Sequence, residues 1–506
     1  MPDVTSLSGA LISVYHKTGL EPLAKALIAE NVPVCSTGGT ADYLRGLGCE
    51  VHDVADLTGY PSILGGRVKT LHPKVHGGIL ARRDEAADQE ELAKYDIPRI
   101  DLVVVDLYPF EETVASGAEE VDVIEKIDIG GIALIRGAAK NFKDVAIVPS
   151  QQWYAQAAEW LESQGGFTLA QRRIFAAAAF DVSSHYDTHI HRYLAGDDST
   201  GLKVSAQEST ALRYGENPHQ QAWYFGDFAS QFEQFHGKAL SYNNLVDVEA
   251  ALDIVDEFSE PFFAVLKHTN PCGCAVGANM LDAWTKALAG DPLSAFGGVL
   301  ACNGTIDEAV ATEIDKLFFE VLVAEEFTPA AKEILQKKKN RILLRREGSA
   351  RHTRVEKSML DGYLVQEKNT RQLHADDLSY PASIQPDAAQ LADAYFGDKV
   401  VKHLKSNAIA IVKDGQLIGS GVGQTSRVDA LKQAIDKAGR MGFDLKGATL
   451  SSDAFFPFKD SVELAHAAGV TTIVEPGGSR RDQETIDYCV THGLCLIFTG
   501  IRHFKH

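Results

Sequence analysis

The sequence has 506 residues, of which 45% are hydrophobic and 23% are charged, a balance that is ordinary for a globular enzyme with at least two domains. Its net charge of -20 argues against general nucleic-acid binding, which requires a basic face, but leaves small anionic substrates open. No window approaches the ~18 apolar residues of a membrane span. The N-terminus lacks a signal-peptide pattern and the seven cysteines are few, so we expect a cytoplasmic protein with reduced thiols.

The first part of the chain, to about residue 195, alternates short apolar strands with helices. Strands are predicted at 10–15, 32–36, 50–54, 102–107 and 145–148, and helices at 19–29, 40–47, 121–140 with a break at Gly130-Gly131, 151–163 and 168–194. This alternation predicts a parallel sheet covered by helices on both faces. The polar segment 195–203 is the predicted linker, which gives domains at 1–199 and 200–506.

From about residue 205 onward, the predicted elements occur twice in a similar order. Strands are predicted at 262–267, 296–301, 319–324 and 341–345, and again at 408–412, 416–421, 448–452, 471–474 and 494–498, with helices between them. We therefore predict two pseudo-repeats, at about 205–360 and 385–506, joined by a connecting excursion over 346–390.

The most informative segment is PFFAVLKHTNPCGCA at 261–275, where a buried strand ends in Lys267-His268. The Thr-Asn-Pro-Cys-Gly sequence that follows predicts a loop. A cation and an imidazole then lie at the end of a strand, where open α/β sheets place their binding crevices. Imidazole accepts a proton near neutrality and an ammonium stabilises an oxyanion. The alternative interpretation is a surface lysine beside a capping histidine.

Two glycine-containing segments of the first domain predict an anion site. STGGT at 36–40 lies between a strand and a helix, where glycine lets the backbone approach an anion, although such a pair is often only a turn. GGRVKTLHPKVHGG at 65–78 places glycine pairs on both sides of a basic cluster. Tyr108, Asp128 and Lys140 lie at the edges of apolar segments, where loops present reactive side chains.

The second domain carries further candidates at turns and element ends. Arg213 and Tyr214 precede a Gly-Glu-Asn-Pro turn and could bind a phosphate and stack on a heterocycle, or form an ordinary turn. Asn407 precedes a strand and Arg427 opens a helix. The basic, aromatic tail at 502–506 is either a frayed end or a lid. The C-x-C pair in PCGC suggests zinc weakly, because no H-x-E partner precedes it and the cysteines form no second cluster.

These motifs together resemble the bifunctional family that joins an AICAR formyltransferase to an IMP cyclohydrolase. The resemblance spans essentially the whole chain and rests on thirteen motifs in order: SVYHKTG, STGGTA, GGRVKTLHPKVHGG, LYPF, IDIGG, RGAAKN, LRYGENPHQ, KHTNPCG, SAFGG, KSN, GQTSR, SDAFFPF and the R-x-F tail. It implies an α/β chain with a methylglyoxal-synthase-like parallel-sheet domain followed by two cytidine-deaminase-like halves.

The resemblance also implies an activity. The chain would transfer a formyl group from 10-formyltetrahydrofolate to AICAR, and would then close formyl-AICAR to IMP with loss of water. It would need no catalytic metal, and it would form a homodimer whose transformylase site is shared between subunits. It would bind neither nucleic acid nor membrane.

Site residues follow from the resemblance, motif by motif. For formyl transfer they are Lys267, His268 and Asn407, with Arg213, Tyr214, Gly297, Arg427, Arg502 and Phe504 holding AICAR and Phe455, Pro457 and Asp460 lining the folate site. For ring closure they are Lys69, Tyr108, Asp128 and Lys140, with Lys17, Ser36, Thr37, Gly38, Gly39, Thr40, Arg67 and Thr70 holding the nucleotide.

One motif departs from the family pattern. Family members often read S-V-S-D-K-T-G at the end of the first strand, whereas this chain has Tyr15-His16 in place of Ser-Asp. A nucleotide contact from those two side chains is therefore not implied. Two functions from other classes stay open: a zinc nucleobase deaminase, which metal analysis would identify, and a catalytically silent nucleotide-binding module, which would bind without turnover.

Overall fold

A computed structural model describes residues 4–64, 67–196, 201–348 and 352–506. The chain divides into two compact units, Met1–Gln207 and Glu208–His506. The predicted linker at 195–203 lies partly outside the described residues, at 197–200. Across the described ranges, every helix is too short or too polar to cross a bilayer. Both units combine helices with β-sheet, as the α/β prediction requires.

The first unit is built on parallel strands. Its strands are β1 (Val4–Ser6), β2 (Ala10–Ser13), β3 (Val34–Ser36), β4 (Val51–Asp53), β5 (Leu102–Val105), β6 (Ala146–Val148) and β7 (Gly166–Thr168). Its helices are α1 (Glu21–Ala29), α2 (Gly38–Gly46), α3 (Val54–Thr58), α4 (Pro73–Leu80), α5 (Ala86–Lys94), α6 (Phe110–Ala115), α7 (Glu120–Ile124), α8 (Gly130–Lys140), α9 (Tyr154–Gln164) and α10 (Leu169–Ala195).

The main sheet of this unit has the order β4-β3-β2-β5-β6, and all of its neighbours are parallel. The chain runs outward from β2 to β4 and then returns to build β5 and β6 on the other side. The order therefore reverses between β2 and β5, which makes their carboxyl ends the topological switch point of the sheet. A separate antiparallel pair, β1 with β7, was not predicted.

The break predicted at Gly130-Gly131 is confirmed, because α7 ends at Ile124 and the glycine pair begins α8, but residues 125–129 are not helical. Gly77 and Gly78, the second glycine pair beside the basic cluster, lie inside α4. A Cβ at Gly78 would be 2.4 Å from the Pro98 carbonyl oxygen, so this glycine permits close packing of the helix. The first pair, at 65–66, lies outside the described residues.

The second unit contains the remaining elements. Its strands are β8 (Ser209–Ala211), β9 (Trp223–Phe225), β10 (Phe232–His236), β11 (Phe262–Lys267), β12 (Asn270–Val276), β13 (Gly298–Cys302), β14 (Thr305–Ile306), β15 (Phe319–Ala324), β16 (Glu326–Phe327), β17 (Ile342–Arg346), β18 (Arg354–Met359), β19 (Gly362–Glu367), β20 (Ile409–Lys413), β21 (Gln416–Gly421), β22 (Thr449–Ser452), β23 (Thr472–Glu475) and β24 (Cys495–Phe498). Its helices are α11 (Tyr242–Val255), α12 (Met280–Gly290), α13 (Glu308–Ile314), α14 (Pro329–Leu335), α15 (Ala388–Lys402), α16 (Arg427–Arg440), α17 (Asp460–Ala467) and α18 (Asp482–His492).

One sheet runs through the whole second unit, in the order β10-β17-β15-β13-β11-β12-β21-β20-β22-β23-β24. Each half contributes an antiparallel hairpin and three strands that are parallel to one another, and the hairpins meet where β12 pairs with β21. The Thr-Asn-Pro-Cys-Gly segment was predicted to be a loop, which is wrong from Asn270 onward, because β12 begins there. Buried residues of α11, α15 and both hairpins form one continuous core.

The hairpins pack against their helices through equivalent glycines. A Cβ at Gly273 of β12 would be 2.0 Å from the Ala287 carbonyl oxygen of α12. A Cβ at Gly419 of β21 would be 2.5 Å from the Ala434 carbonyl oxygen of α16. Both distances are far below van der Waals contact, so each half requires glycine where the helix that follows its hairpin crosses the sheet. The glycine of PCGC therefore has a packing role.

We expect Gly273→Ala to destabilise the second unit, because the added methyl group would overlap the backbone of α12. Overpacking of this kind typically costs about 1–3 kcal/mol. Gly439→Ala is the matched control: a Cβ there meets nothing within 4 Å, and alanine favours the helix by up to about 1 kcal/mol. Calorimetric unfolding of both variants tests this, and an unchanged midpoint for Gly273→Ala would contradict the packing.

Candidate active sites

The switch point of the first unit brings the predicted residues Lys17 and Tyr108 to one edge of the sheet, together with three residues that were not predicted to bind or react. Tyr15, His16 and Lys17 follow β2, and Asp106 and Tyr108 follow β5. Because β2 and β5 are adjacent and parallel, both loops lie at the same edge of the sheet. In open α/β sheets, ligands bind in the crevice outside such a pair of strand ends.

Asp106 explains the dipeptide that departs from the family pattern. Its carboxylate accepts the backbone N–H groups of both Tyr15 and His16, and the Nδ1 atom of His16 lies 2.8 Å from Oδ2. The Tyr15 ring contacts the edge of the Tyr108 ring, with centroids 5.8 Å apart. His16 therefore holds the loop in place, while Tyr15 lies beside the predicted reactive tyrosine.

In the STGGT segment, the two outer side chains bind backbone within the fold, whereas the three central residues form the start of a helix. The hydroxyl groups of Ser36 and Thr40 are buried and donate to the carbonyl oxygens of Ile12 and Val14. Their side chains therefore fasten α2 and β3 to β2 rather than face a ligand. Thr37, Gly38 and Gly39 supply the backbone at the start of α2, and Gly38 has a φ of 57°. Free N–H groups at a helix start are suited to an anion.

Tyr108 and Asp128 form an electrostatically coupled pair. Burial raises the pKa of the Asp128 carboxyl, although Oδ1 accepts the Gly131 N–H at 2.6 Å. Burial and the Asp128 carboxylate together raise the pKa of Tyr108. Lys126, which was not predicted, places Nζ 5.9 Å from the ring centroids of both Tyr15 and Tyr108. Groups with displaced pKa values in a crevice are suited to proton transfer.

The remaining predicted residues of this unit differ in burial and in their contacts. Thr70 is buried against the start of α8, since a Cβ at Gly130 would be 3.0 Å from its Oγ1, and Lys69 beside it is exposed. Arg67 is exposed and pairs with Glu125. Lys17 donates from Nζ to the Tyr15 carbonyl oxygen at 3.3 Å.

Lys140 is the exception among the predicted catalytic residues of this unit. It ends α8, whereas Asp128 precedes the first residue of that helix. At about 1.5 Å of rise per residue, the two ends of α8 are about 15 Å apart. The structure therefore does not bring Lys140 to the Tyr108–Asp128 pair within one chain.

In the second unit, His268 lies in a strained turn. The first hairpin turns through His268 and Thr269 with φ values of 52° and 64°, and the second turns through Asp414 and Gly415 with φ values of 52° and 67°. Asp-Gly is the preferred sequence for this two-residue turn, whereas a β-branched residue at positive φ is unfavourable. The same turn is therefore built twice, with strain only in the first hairpin, and such strain is typical of functional positions.

Lys267 is held by the loop that precedes β13. Its Nζ atom donates to the carbonyl oxygens of Phe296 (3.2 Å) and Gly297 (2.9 Å), and Gly297 has a φ of 67°. Lys413, at the same position of the second hairpin, donates to the carbonyl oxygens of Asp444 (3.4 Å) and Lys446 (2.9 Å). Anchoring the next loop is thus a feature of both halves, and His268 is what distinguishes the first.

Asn407 lies near the first hairpin. The Lys405 N–H donates to Oδ1 of Asn270, the first residue after the turn, at 3.1 Å. Asn407 donates from Nδ2 to the Gln424 carbonyl oxygen and accepts at Oδ1 from Arg427 at 2.7 Å. The hydrogen bonds therefore fix which end of the amide faces which neighbour.

Arg427 is buried and also pairs with Asp453, which was not predicted. A carboxylate directly after the buried strand β22 was the sequence signal that could have indicated Asp453. The predicted contact of Arg427 with a phosphate has to compete with this ion pair.

The C-terminal tail is docked rather than frayed. Ser406 and Lys505 exchange hydrogen bonds through the Ser406 N–H and Oγ, and the His503 N–H donates to the Asp453 carbonyl oxygen at 2.9 Å. His503 is buried, whereas Arg502 and Phe504 point outward, with the guanidinium 4.4 Å from the ring centroid. Buried and exposed side chains alternate along this extended tail. Both predicted ligand-binding residues, Arg502 and Phe504, are therefore presented at the Asn407 edge, which is the edge of the large sheet where β20 starts.

The remaining candidates of this unit are exposed, apart from Tyr214, which is half-buried. Arg213 donates to the Tyr214 hydroxyl at 3.0 Å and lies 4.7 Å from its ring centroid. Phe455, Pro457 and Asp460 lie on the surface between β22 and the first residue of α17. Beneath them, burial raises the pKa of the Glu475 carboxyl to about 8, and its Oε2 accepts the Phe456 N–H at 2.6 Å.

The C-x-C pair cannot form half of a zinc site. A β-bulge between β11 and β12 places Cys272 and Cys274 in the cores on opposite faces of the sheet. Burial raises the pKa of both thiols, which disfavours the thiolate that zinc requires. The two-residue spacing that suggested a metal in the sequence is therefore interrupted by the bulge.

The family described as "AICARFT/IMPCHase bienzyme" matches residues 138–437, and the family described as "MGS-like domain" matches residues 19–133. The chain belongs to the AICARFT/IMPCHase bienzyme family. The resemblance found in the sequence is thus confirmed, as is the methylglyoxal-synthase-like start of the fold, while the cytidine-deaminase-like halves stay a prediction.

Relatives within this bienzyme family cover the full chain. The "Bifunctional purine biosynthesis protein PurH" of Bacteroides thetaiotaomicron is 52% identical over 100% of both chains. Proteins of the same name from Acetivibrio thermocellus and Aquifex aeolicus are 45% and 44% identical over 98% of this chain and 99% and 100% of their own. A solved chain described as "Crystal structure of ForH" is 39% identical over 38% of this chain and 98% of its own, with a TM-score of 0.33.

The strain in the first hairpin turn can be measured. We expect Thr269→Gly to be more stable than Thr269→Ala by about 1–2 kcal/mol, because only alanine keeps a Cβ in the left-handed conformation. Both variants lose the hydroxyl bond to the His268 carbonyl oxygen, so their difference isolates the backbone cost. Thr285, exposed in α12 and also bonded through its hydroxyl to a carbonyl oxygen, is the control.

At Thr285 the order should invert, since alanine stabilises a helix relative to glycine by about 1 kcal/mol. Equilibrium denaturation of the four variants gives both differences. Equal stability of Thr269→Gly and Thr269→Ala would show that the turn carries no strain.

Proposed function

We propose that this member of the bienzyme family transfers a formyl group from 10-formyltetrahydrofolate to AICAR and then closes formyl-AICAR to IMP with loss of water. Family membership supports the pair of reactions. The observation that carries the first reaction is His268 in a strained turn, between the anchored Lys267 and the Asn407 edge. Both steps are assigned to side chains without a catalytic metal. The free cysteines support a cytoplasmic location.

Formyl transfer requires activation of a weak nucleophile. The 5-amino group of AICAR shares its lone pair with the ring and the carboxamide, so it needs orientation and removal of a proton. We assign proton removal to the exposed imidazole of His268. Two N–H groups of the Lys267 ammonium contact backbone oxygens, which leaves the third to stabilise the formyl oxyanion. Asn407, oriented by Arg427, would hold the carboxamide.

AICAR and the folate would approach the same edge of the large sheet from different sides. Arg213 and Arg502 are exposed and carry guanidinium groups suited to the AICAR phosphate, while Tyr214 and Phe504 offer aromatic faces. Gly297 would let the heterocycle approach the backbone next to Lys267. The loop with Phe455, Pro457 and Asp460 would receive the folate, because its exposed ring and proline give an apolar surface for a flat pterin.

Ring closure would take place at the switch point of the first unit. The carboxamide nitrogen attacks the formyl carbon, and the formyl oxygen leaves as water after gaining protons. We propose that Lys69 stabilises the negative charge that develops on that oxygen. We assign the proton transfers to Tyr108 and Asp128, whose pKa values are both raised. The N–H groups of Thr37, Gly38 and Gly39, with Lys17, Arg67 and Thr70, would hold the nucleotide. Lys140 stays a prediction, because it ends α8.

We also propose that the enzyme is a homodimer. The hairpin β18–β19 is exposed along its entire length and carries Val355, Tyr363 and Leu364 in the open. An isolated two-stranded hairpin is marginal in water, and exposed apolar patches mark association surfaces. A second copy of this chain would cover it, and the transformylase site would then contain residues from both subunits.

We expect His268→Ala to lower transformylase kcat by about two to four orders of magnitude, the range for a positioned acid–base group. Lys267→Ala should lose about two to three orders, the value of one oxyanion donor, and the double variant should be little worse. Lys413→Ala, the equivalent lysine of the second hairpin, should keep transformylase activity, since it has only the anchoring contacts.

These variants are assayed with AICAR and 10-formyltetrahydrofolate, and separately with preformed formyl-AICAR. The second assay should be unchanged in all of them, because ring closure is assigned to the first unit. Near-normal kcat in His268→Ala would remove the imidazole from the mechanism. Binding of AICAR by the wild-type protein with turnover of neither substrate would favour the silent nucleotide-binding module.

Subunit mixing tests the shared site. A hybrid dimer with Lys267→Ala in one chain and Arg427→Ala in the other has one intact site if the two residues come from different subunits, because a twofold interface repeats each contact. Hybrids purified through two different tags should then show about half of wild-type activity. If purified hybrids are as inactive as the two parent variants, Lys267 and Arg427 act from the same chain.

A further inference from the structure

A second cluster of chemically competent side chains lies in the first unit, apart from the residues assigned to ring closure. Glu111 extends from α6, and His185 and His189 lie one turn apart on α10. Histidines at i and i+4 share a helix face, the arrangement that places two imidazoles on one metal ion. Among the described residues, these three form the one group whose ligand atoms lie close enough together for a metal, within 4.8 Å.

The distances within the cluster fit a small coordination sphere. The Nε2 atom of His185 lies 3.0 Å from Oε1 of Glu111, and the Nδ1 atom of His189 lies 3.2 Å from Oε2. The two imidazole centroids are 4.4 Å apart. A tetrahedral zinc ion with bonds of about 2.0–2.1 Å holds its ligand atoms about 3.3–3.4 Å apart. Small side-chain movements would therefore be enough to enclose an ion.

The surroundings of the cluster support ligation rather than a simple ion pair. Ser205 Oγ lies 2.8 Å from Nδ1 of His185, which fixes that ring and leaves Nε2 toward Glu111. Metal-bound histidines usually have such a partner on the other nitrogen. The side chains of His185, His189 and Glu111 are 15%, 21% and 42% exposed, so an ion could enter from solvent.

We propose that Glu111, His185 and His189 bind one divalent first-row transition-metal ion of the Zn²⁺ type, with water in the fourth position. Two imidazoles and one carboxylate are a donor set that zinc accepts, whereas Mg²⁺ and Ca²⁺ prefer oxygen ligands. Arg192 lies on the same helix and repels a cation at this place. An ion that bonds strongly to nitrogen is therefore favoured over one that is held by charge alone.

The ion would act as a clamp between two helices that support the cyclohydrolase site. α6 begins two residues after Tyr108, and Tyr186, next to His185, accepts the Asp128 N–H at 2.9 Å through its hydroxyl. The same hydroxyl donates to the Lys126 carbonyl oxygen. Fastening α6 to α10 would thus fix the segments that carry Tyr108 and Asp128. This consequence for ring closure rests on the proposed function, whereas the binding of the ion does not depend on it.

The test uses the full-length chain without a histidine tag, freed of metal with a chelator. Titration with Zn²⁺ followed by calorimetry should show one ion per chain, and Co²⁺ should give the visible absorption of a tetrahedral nitrogen–oxygen site. Both signals should persist in excess Mg²⁺. His189→Ala and Glu111→Gln should each weaken Zn²⁺ binding at least about tenfold, and Ser205→Ala should weaken it less.

His191→Ala is the matched control, since it removes a histidine of the same helix that is outside the cluster. It should bind Zn²⁺ like the wild type. Zn²⁺ should also raise the unfolding temperature of the wild type and of His191→Ala, but not of His189→Ala. Absence of stoichiometric binding at millimolar Zn²⁺, or equal binding by His189→Ala and the wild type, would overturn the proposal whether or not the enzyme closes formyl-AICAR.

Discussion

The pairing of β12 with β21 is the constraint on which the second unit depends. It joins two hairpins into one sheet, and it therefore places the His268 turn at the same edge as the start of β20 and the ends of β21 and β22. The hairpins reach this arrangement only because Gly273 and Gly419 let α12 and α16 lie directly on the sheet. Residues that are far apart in sequence become neighbours at this edge.

Comparison of the two halves separates structural from functional residues. Both halves anchor a lysine at the end of the first hairpin strand to carbonyl oxygens of the following loop, through Lys267 and Lys413. Both turn with positive φ at two residues, but the first half does so with His-Thr and the second with Asp-Gly. The less favourable sequence is retained where an exposed imidazole lies beside the proposed AICAR site, which is the pattern expected when function opposes local stability.

In the first unit, acidic side chains hold the loops at the switch point. Asp106 accepts backbone N–H groups of Tyr15 and His16, and Asp128 accepts the N–H of Gly131. Each carboxylate thus fixes a loop next to Tyr108 and contributes negative charge there. Positioning and electrostatics come from the same groups, so the loops need few further contacts to keep their shape.

The sequence by itself determined the alternation of strands and helices, the order of elements in both halves and the family, because local hydrophobic pattern and ordered motifs suffice for these. It also placed Lys267, His268, Tyr108 and Asp128 at element ends. Only the tertiary structure decided that Gly77 and Gly78 pack inside a helix, and that Ser36 and Thr40 bind backbone rather than ligand.

Tertiary structure likewise decided that a bulge separates Cys272 from Cys274, that Lys140 lies at the far end of α8, and that Glu111 meets two histidines about 75 residues away. Each of these depends on register or on contact between distant segments, which neither periodicity nor a motif records.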